Sequence, residues 1–474
     1  MTSASAQHGV GPNQNLQLLL DTLGWRPETL ARKVNAALAR VSESRRVHEK
    51  TPYRWLHHGQ VPHAPVPDVV VEVLSEAIGE PVAFNHVWPA YCASRAPSLL
   101  PANHRLDVAW DGAGLLRLLK EWSHGMLTRR RFTVISGVLL TRPAWQWLDY
   151  PPPTMASAQG MGKVSDAVVS LIEEIVTKAQ QLDDQQGGAA TTFVADQFNC
   201  VSRLLRTARY DAPTGRRLCA ALAQLAQTAG FMAHESQRDG EAQRWYLAGL
   251  HAAQAADDRA LASSILGLMS NQATALGKIN DALQLASAAQ EACTEAPTAV
   301  QALIAARSGL AFSAAGDLTS FRRARDHALT MLNRAHEQTD RTPRWAHYVD
   351  RTELDAIAGR SLVTLARRIP ARQTQLLRDA EILLRDRALV DSTSPYQRSA
   401  LLHGAWLSLA YTQAGHLDQA VTMGRRTLGR LSTVTSVRCV DLLRRLRDDL
   451  RPSAHRTPAV GDLVADLNRV VNHG

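Results

Sequence analysis

The main concentration of side chains able to bind another molecule lies between Arg26 and His58. This segment holds eight lysines and arginines against three acidic residues. The rest of the first ninety residues adds five acids and no base, so the positive charge is confined to this one stretch. Guanidinium and ammonium groups bind phosphate oxygens, and an arginine can also donate two hydrogen bonds to guanine. The segment therefore favours a nucleic-acid partner, with the solvated face of a small helical docking domain as the alternative.

The rest of the chain has no residue pattern typical of an enzyme or a metalloprotein. The five cysteines are scattered and include no C-x-x-C pair, and the 17 histidines include no H-E-x-x-H motif. Glycine-rich phosphate loops and the G-x-S-x-G nucleophile motif are also missing. We therefore expect a protein that is not an enzyme and that needs neither a metal nor another cofactor.

The composition of the 474-residue chain is typical of a soluble protein with more than one domain. The formal net charge is +9, and 47 of the 53 basic residues are arginine. No apolar run approaches the roughly 18 residues of a membrane span, and the first twenty residues lack the basic start of a secretory signal. The scattered cysteines suit a reducing compartment. These features predict a cytoplasmic, nucleoid-associated protein with no membrane contact.

Hydrophobic periodicity predicts an all-α fold that begins with a compact helical domain. A polar segment over residues 1–14 is expected to be a disordered arm, and residues 15–92 are expected to form four or five short helices. The third of these helices begins at Thr51 and Pro52, which suit the first positions of a helix. Within it we expect Tyr53 and Leu56 to face the core, and Trp55 to pack there with its indole edge near a phosphate.

The outward side of the third helix is the predicted DNA-binding surface, because the second helix of a helix-turn-helix lies in the major groove. Arg54 matches the acceptor pair of guanine, and Thr51 at the helix start would hold a phosphate. The residues expected on the outward side or in contact with the DNA backbone are Lys33, Arg45, Arg46, Lys50, His57 and His58.

The remaining two thirds of the chain indicate a helical repeat structure. Residues 93–165 are rich in proline and predict a connector with short helices. In residues 166–452, Gly240, Gly277 and Gly316 recur at intervals of 37 and 39 residues, close to the 34-residue tetratricopeptide period. We therefore predict a TPR-like α-solenoid whose stacked repeats touch only their neighbours. Residues 453–474 are expected to form a tail with a short helix.

A solenoid of this length suggests a role beyond dimerisation. Its concave face would suit a peptide or small-molecule effector, and Asn271 and Gln272 would contact such a ligand if they point inward. Asparagine and glutamine on solenoid helices are also often solvated, which is the alternative for this pair. We further expect the region to hold a homodimer together, since one small helix-turn-helix covers little DNA.

One part of the sequence resembles a known group of proteins. The string Thr51-Pro52-Tyr53-Arg54-Trp55-Leu56, then Gly59, VPDVVVEVLSEAIGEPV and Val87-Trp88-Pro89, is similar to the N-terminal region of actinobacterial regulators. These proteins join an Xre-like helix-turn-helix to a TPR-like region, and some are negative regulators of differentiation and antibiotic production. The segment RRRF at 129–132 is similar to a basic-aromatic element of such proteins. Peptide-pheromone receptors show a more distant similarity.

The resemblance implies a transcription factor that binds double-stranded DNA and controls development or secondary metabolism, as a repressor in the manner of some members of the group. The loop between the second and third helices is longer than the three or four residues of a compact motif. A TPR adaptor that docks a protein partner and does not bind DNA is the competing hypothesis.

Overall fold

The structure is a computed structural model of the chain. The residues that it describes are 12–40, 46–62, 66–78, 82, 87–88, 108–125, 134–160, 162–337 and 342–473. These residues form twenty α-helices and no β-strand longer than an isolated bridge. The predicted all-α class with a solenoid-like C-terminal region is therefore confirmed. No described helix combines the length and apolar content that crossing a membrane requires.

The chain divides into two compact units. The N-terminal unit comprises Met1–Asp107 with Ser136–Arg142, and the C-terminal unit comprises Val108–Ile135 with Pro143–Gly474. The helices of the N-terminal unit are α1 (Gln14–Thr22), α2 (Pro27–Arg40), α3 (Thr51–His58) and α4 (Val66–Ile78). The division between the units passes through α6 (Val138–Asp149) at Pro143.

The N-terminal unit packs around one apolar core. Leu30, Val34 and Leu38 recur every four residues along α2, and they are almost fully buried together with Leu16 of α1 and Leu74 of α4. Asn13, which we expected in the N-terminal arm, is part of the folded unit. Its side chain caps α1 by accepting a hydrogen bond from the Leu16 amide at 3.0 Å, and it donates to the Val87 carbonyl at 2.7 Å. Residues 1–11 lie outside the described part of the chain.

The C-terminal unit is a series of packed helices. Those after α5 (Gly112–Gly125) and α6 are α7 (Asp166–Gln186), α8 (Thr191–Thr207), α9 (Ala212–Glu235), α10 (Asp239–Ala255), α11 (Arg259–Ala275), α12 (Ile279–Ala292), α13 (Thr298–Ala315), α14 (Leu318–Glu337), α15 (Arg351–Arg368), α16 (Gln373–Ala388), α17 (Gln397–Ala414), α18 (Leu417–Arg430), α19 (Val437–Leu450) and α20 (Pro458–His473). From α9 onward, the helices pack in hairpins as in a helical repeat protein, namely α9 with α10, α11 with α12, α13 with α14, α15 with α16, and α17 with α18.

The turns between these helices correct one detail of the repeat pattern. Gly277 and Gly316 take the left-handed conformation that ends a helix, with φ of 71° and 81°. Gly240, expected in a turn, lies instead in the first turn of α10. The left-handed position before α10 falls on Gln237, with φ of 55°. The turns at Gly277 and Gly316 therefore lie where the glycine spacing placed them, and the turn before α10 lies three residues before Gly240.

Two segments outside the predicted solenoid belong to its fold. In the segment expected to be a connector, the backbone of Ile135 exchanges two hydrogen bonds with the side chain of Gln243 at 2.8 and 2.9 Å. In the segment expected to be a tail, α20 buries Leu463 and Leu467 in the same core as α18 and α19. Apolar residues at helical spacing explain this packing of α20, since a helix with one apolar face must cover it.

The solenoid also closes on itself, so the prediction that repeats touch only their neighbours is wrong. Arg398 of α17 donates to the Asp184 carboxylate of α7 at 3.0 Å and to the Asp183 carbonyl at 3.1 Å. Arg438 of α19 lies 2.6 Å from the carboxylate of Glu235 in α9. We call these contacts the closing seam, because they join the first helices of the solenoid to the last.

His251 gives a test of this packing in solution. Its ring is 3 % exposed and lies flat on Trp110, with 3.7 Å between the ring centroids. Burial lowers the pKa of His251 to about 3, so the folded unit holds a neutral ring where the unfolded chain binds a proton. The free energy of unfolding should therefore fall as the pH drops from about 6.5 toward 3.

Replacing His251 with phenylalanine keeps the stack and removes the titrating group. We expect the melting temperature of H251F to depend less on pH between 6.5 and 4.5 than that of the unmodified protein. H455Q, at an exposed histidine, serves as the control and should leave the dependence unchanged. Parallel curves for H251F and the unmodified protein would contradict the prediction.

Candidate nucleic-acid interface

Helix α3 is fixed in the N-terminal unit by its buried side. Trp55 and Leu56 are 2 % and 3 % exposed, and Pro52 is buried beside them. The ring of Trp55 meets that of Trp88 edge to face at 5.8 Å, and the Trp88 indole donates to the Pro67 carbonyl at 3.1 Å. The interpretation that Trp55 offers its edge to a phosphate is wrong, because its ring is enclosed in the core.

Tyr53 lies on the exposed side of α3, so the expectation that it faces the core is wrong. It is 37 % exposed, and its hydroxyl donates to the Glu28 carboxylate of α2 at 2.7 Å. This hydrogen bond lowers the pKa of Glu28. Residues 52, 55 and 56 already follow the three- and four-residue spacing of a buried helix face, which leaves residue 53 outside it. That spacing was the available signal for the correct assignment.

The opposite side of α3 carries the predicted DNA-binding side chains. Lys50, Arg54, His57 and His58 are exposed and are separated by three or four residues, which places them along one face of the helix. The His57 ring lies roughly parallel to that of Tyr53 at 6.1 Å. The helix ends at Gly59, whose φ of 57° is left-handed. Thus α3 presents a short row of donors with a defined end.

The other predicted contacts surround this row to different degrees. Arg46 and Lys33 are exposed, and the Lys33 ammonium lies 4.8 Å from the centre of the Trp25 ring. Thr51 is partly buried, and its amide donates to the His48 carbonyl at 2.9 Å. Arg45 and the segment at 129–132 lie outside the described residues.

The long loop before α3 is tied down where it returns to the core. The side chain of Asn35 in α2 accepts from the Val47 amide at 2.7 Å and donates to the Val47 carbonyl at 2.8 Å. Val47 is itself buried. A single amide side chain therefore fixes the start of the segment that leads into α3, as a short turn would in a compact motif.

The two residues predicted to bind an effector have different positions. Gln272 is buried and donates to the Asp239 carboxylate at 2.8 Å, so it joins α11 to the start of α10. Asn271 lines a cavity of about 110 Å³ in the C-terminal unit. Two arginines of that cavity, Arg307 and Arg360, were not predicted, because they come from helices far from Asn271 in the sequence.

Comparison with known proteins adds one match. A family model described as the SP15 N-terminal domain matches residues 16–87. The match begins within α1, includes α2 to α4 and ends at Val87, whose carbonyl accepts the Asn13 hydrogen bond. No curated protein matches the chain.

The Asn35 contacts lead to a prediction about α3. Replacing Asn35 with alanine removes both hydrogen bonds to Val47, each worth about 0.5–1.5 kcal/mol. We expect faster backbone hydrogen exchange over residues 47–56 of N35A, measured by mass spectrometry on the full chain. K33A, at an exposed position of the same helix, should exchange like the unmodified protein. Equal exchange in all three proteins would show that Asn35 does not hold the loop.

Proposed function

We propose that the protein is a sequence-specific DNA-binding transcriptional regulator that inserts α3 in the major groove. The observation that carries the proposal is Arg54. Arg54 is exposed on the face of α3 opposite Pro52 and Leu56, and its guanidinium makes no hydrogen bond or ion pair to any residue that the structure describes. An arginine held on a fixed helix and free to donate is the group that most often recognises guanine.

The neighbours of Arg54 support the same role. Lys50 precedes it by one helical turn, and His57 and His58 follow it by nearly one turn, so cationic or donor side chains continue along the face. Phosphate contacts of this kind supply affinity, and base contacts supply specificity. The buried Trp55 fixes the angle at which the row is presented.

We further propose that the protein acts as a homodimer through its C-terminal unit. A helix as short as α3 reaches only a few base pairs, and single modules of this size bury about 600–1,000 Å² on DNA. Two copies on half-sites about one helical turn apart would supply the missing affinity. The suggestion that the targets govern development or secondary metabolism, and that binding represses them, comes from the sequence resemblance alone.

The first step of the test is to identify the DNA site that the protein binds. Genomic fragments bound by the full-length protein are selected and sequenced, and affinities are then measured on the recovered site and on a random duplex. R54A should lose about 1–3 kcal/mol on the recovered site, or roughly 5- to 150-fold, and should bind the random duplex nearly unchanged. K50A should weaken binding to both duplexes and reduce the slope of affinity against salt by about 0.9.

R203A is the matched control, because Arg203 is exposed on α8 of the C-terminal unit. It removes the same charge and should change neither affinity. An equal loss of R54A on both duplexes would make Arg54 a phosphate contact and leave specificity elsewhere. Absence of any salt-dependent binding to duplex DNA by the unmodified protein would instead favour a TPR adaptor with a protein partner.

A further inference from the structure

The closed solenoid surrounds the cavity that Asn271 lines. Helices from both ends of the solenoid contribute to its wall, since α7 and α9 meet α17 and α19 there. A volume of about 110 Å³ is several times the roughly 10–15 Å³ that one water requires, so the cavity admits a small organic molecule. Part of its wall is aromatic or aliphatic, and these residues are Phe231, Leu303, Trp345, Tyr348, Ile357 and Tyr396.

Most of the charged groups around the cavity already have partners of opposite charge. Arg398 lies 3.0 Å from Asp184 and 3.3 Å from Asp183. The partner of Arg438 is Glu235, at 2.6 Å. These pairs form the closing seam. The other carboxylate of the cavity wall, Glu353, lies 3.3 Å from Arg387 and accepts a hydrogen bond from the Ser399 hydroxyl at 3.1 Å.

Arg307 and Arg360 differ from these pairs. Each is less than 10 % exposed, and neither lies within 4 Å of a carboxylate in the described part of the chain. Arg307 donates only to uncharged groups, namely Ser264 at 3.1 and 3.2 Å and the Tyr348 hydroxyl at 2.8 Å. A buried cation without a counter-charge is costly, so two such side chains at one cavity indicate a place for an anion.

Arg360 is the less satisfied of the two. One terminal nitrogen of its guanidinium donates to the Asn271 side chain at 3.4 Å, and its buried Nε has no partner. Burial, together with the nearby Arg438, lowers the pKa of Arg360 to about 9. A bound anion would offset both effects, since it supplies the acceptor and the negative charge that Arg360 lacks.

Three buried acceptors at the cavity have no partner in the described part of the chain, and the two on uncharged side chains indicate the rest of the ligand. His403 is 1 % exposed, and its Nδ1 lies 2.9 Å from the Ser399 carbonyl, so Nδ1 carries the proton and Nε2 is an acceptor. Among the described residues this Nε2 has no partner, and the same holds for Oε1 of the buried Gln227 and for Oδ1 of Asp183. A hydroxyl or amino group on the ligand would donate to one of them.

We propose that this cavity binds a small organic anion that carries a hydroxyl or amino group and a compact apolar part. Arg307 and Arg360 bind its carboxylate or phosphate, the Asn271 amide lies beside that group, and His403 or Gln227 accepts from its donor. The assignment concerns the C-terminal unit alone, and only its role as an effector of DNA binding rests on the proposed function.

The first experiment needs no ligand. If Arg360 is an uncompensated buried cation, R360M should keep or raise the melting temperature of the full-length protein. R387M is the matched control, because Arg387 is also buried but is paired with Asp350 at 3.0 Å and Glu353 at 3.3 Å. Its melting temperature should fall, since it leaves Glu353 without this partner. A fall of R360M as large as that of R387M would make Arg360 a structural residue and overturn the proposal.

The second experiment uses defined probes and no DNA. The melting temperature is measured with 4-hydroxyphenylacetate, phenyl phosphate, inorganic phosphate and the neutral 4-hydroxyphenylacetamide, within a wider panel of small carboxylates and phosphate esters. An anion at about 100 times its Kd should raise the melting temperature by roughly 3–5 °C. The two classes of anion in the panel distinguish a carboxylate ligand from a phosphate ligand.

The shift should vanish in R360M and be absent with the neutral amide. A panel in which no anion stabilises the unmodified protein more than R360M would show the proposal to be wrong. So would equal stabilisation by the acid and by its amide. Because DNA is absent, failure here leaves the proposed DNA binding untouched, and loss of DNA binding leaves the cavity assignment untouched.

Discussion

Arg398 holds the two ends of the C-terminal unit together. Its partners, Asp183 and Asp184, lie more than 200 residues away in the sequence, and the Arg438–Glu235 pair repeats the arrangement two helices further along. Removing one member of such a buried pair is costly because it leaves the other charge without a partner. Burial raises the pKa of Asp183 to about 7 despite the nearby Arg398, which shows how strongly the seam is withdrawn from water.

Closure changes what the solenoid can do. In an open stack, small rotations between repeats add up along the array. In this protein the first and last helices are joined, so the rotation of one pair is opposed by the seam. The cavity lies beside the seam, and Arg398 and Arg438 are part of both. A molecule in the cavity would therefore act on the contacts that close the ring, and a change in its curvature requires these contacts to shift.

In the N-terminal unit, contacts with the core fix the direction of α3. Helix α3 has only eight residues and follows a long loop, so its own hydrogen bonds cannot fix its direction. Trp55 packed on Trp88 fixes one side of the helix, and Asn35 fixes the chain that enters it. The exposed row that includes Arg54 is consequently held in place by the core.

Local pattern alone was enough to predict the all-α class, the helices up to α4 and the helical repeats, because apolar spacing and turn glycines act over a few residues. It also indicated the exposed face of α3. Tyr53 was assigned to the core from its three-residue spacing to Leu56, whereas the buried face consists of Pro52, Trp55 and Leu56. The positions of Gln272 and Asn271 depended on neighbouring helices. Only the tertiary structure decided that the solenoid closes and that Arg307 and Arg360 meet at one cavity. Nothing in the local sequence signals a contact between residues so far apart, since such a contact depends on the summed rotation of every helix pair between them.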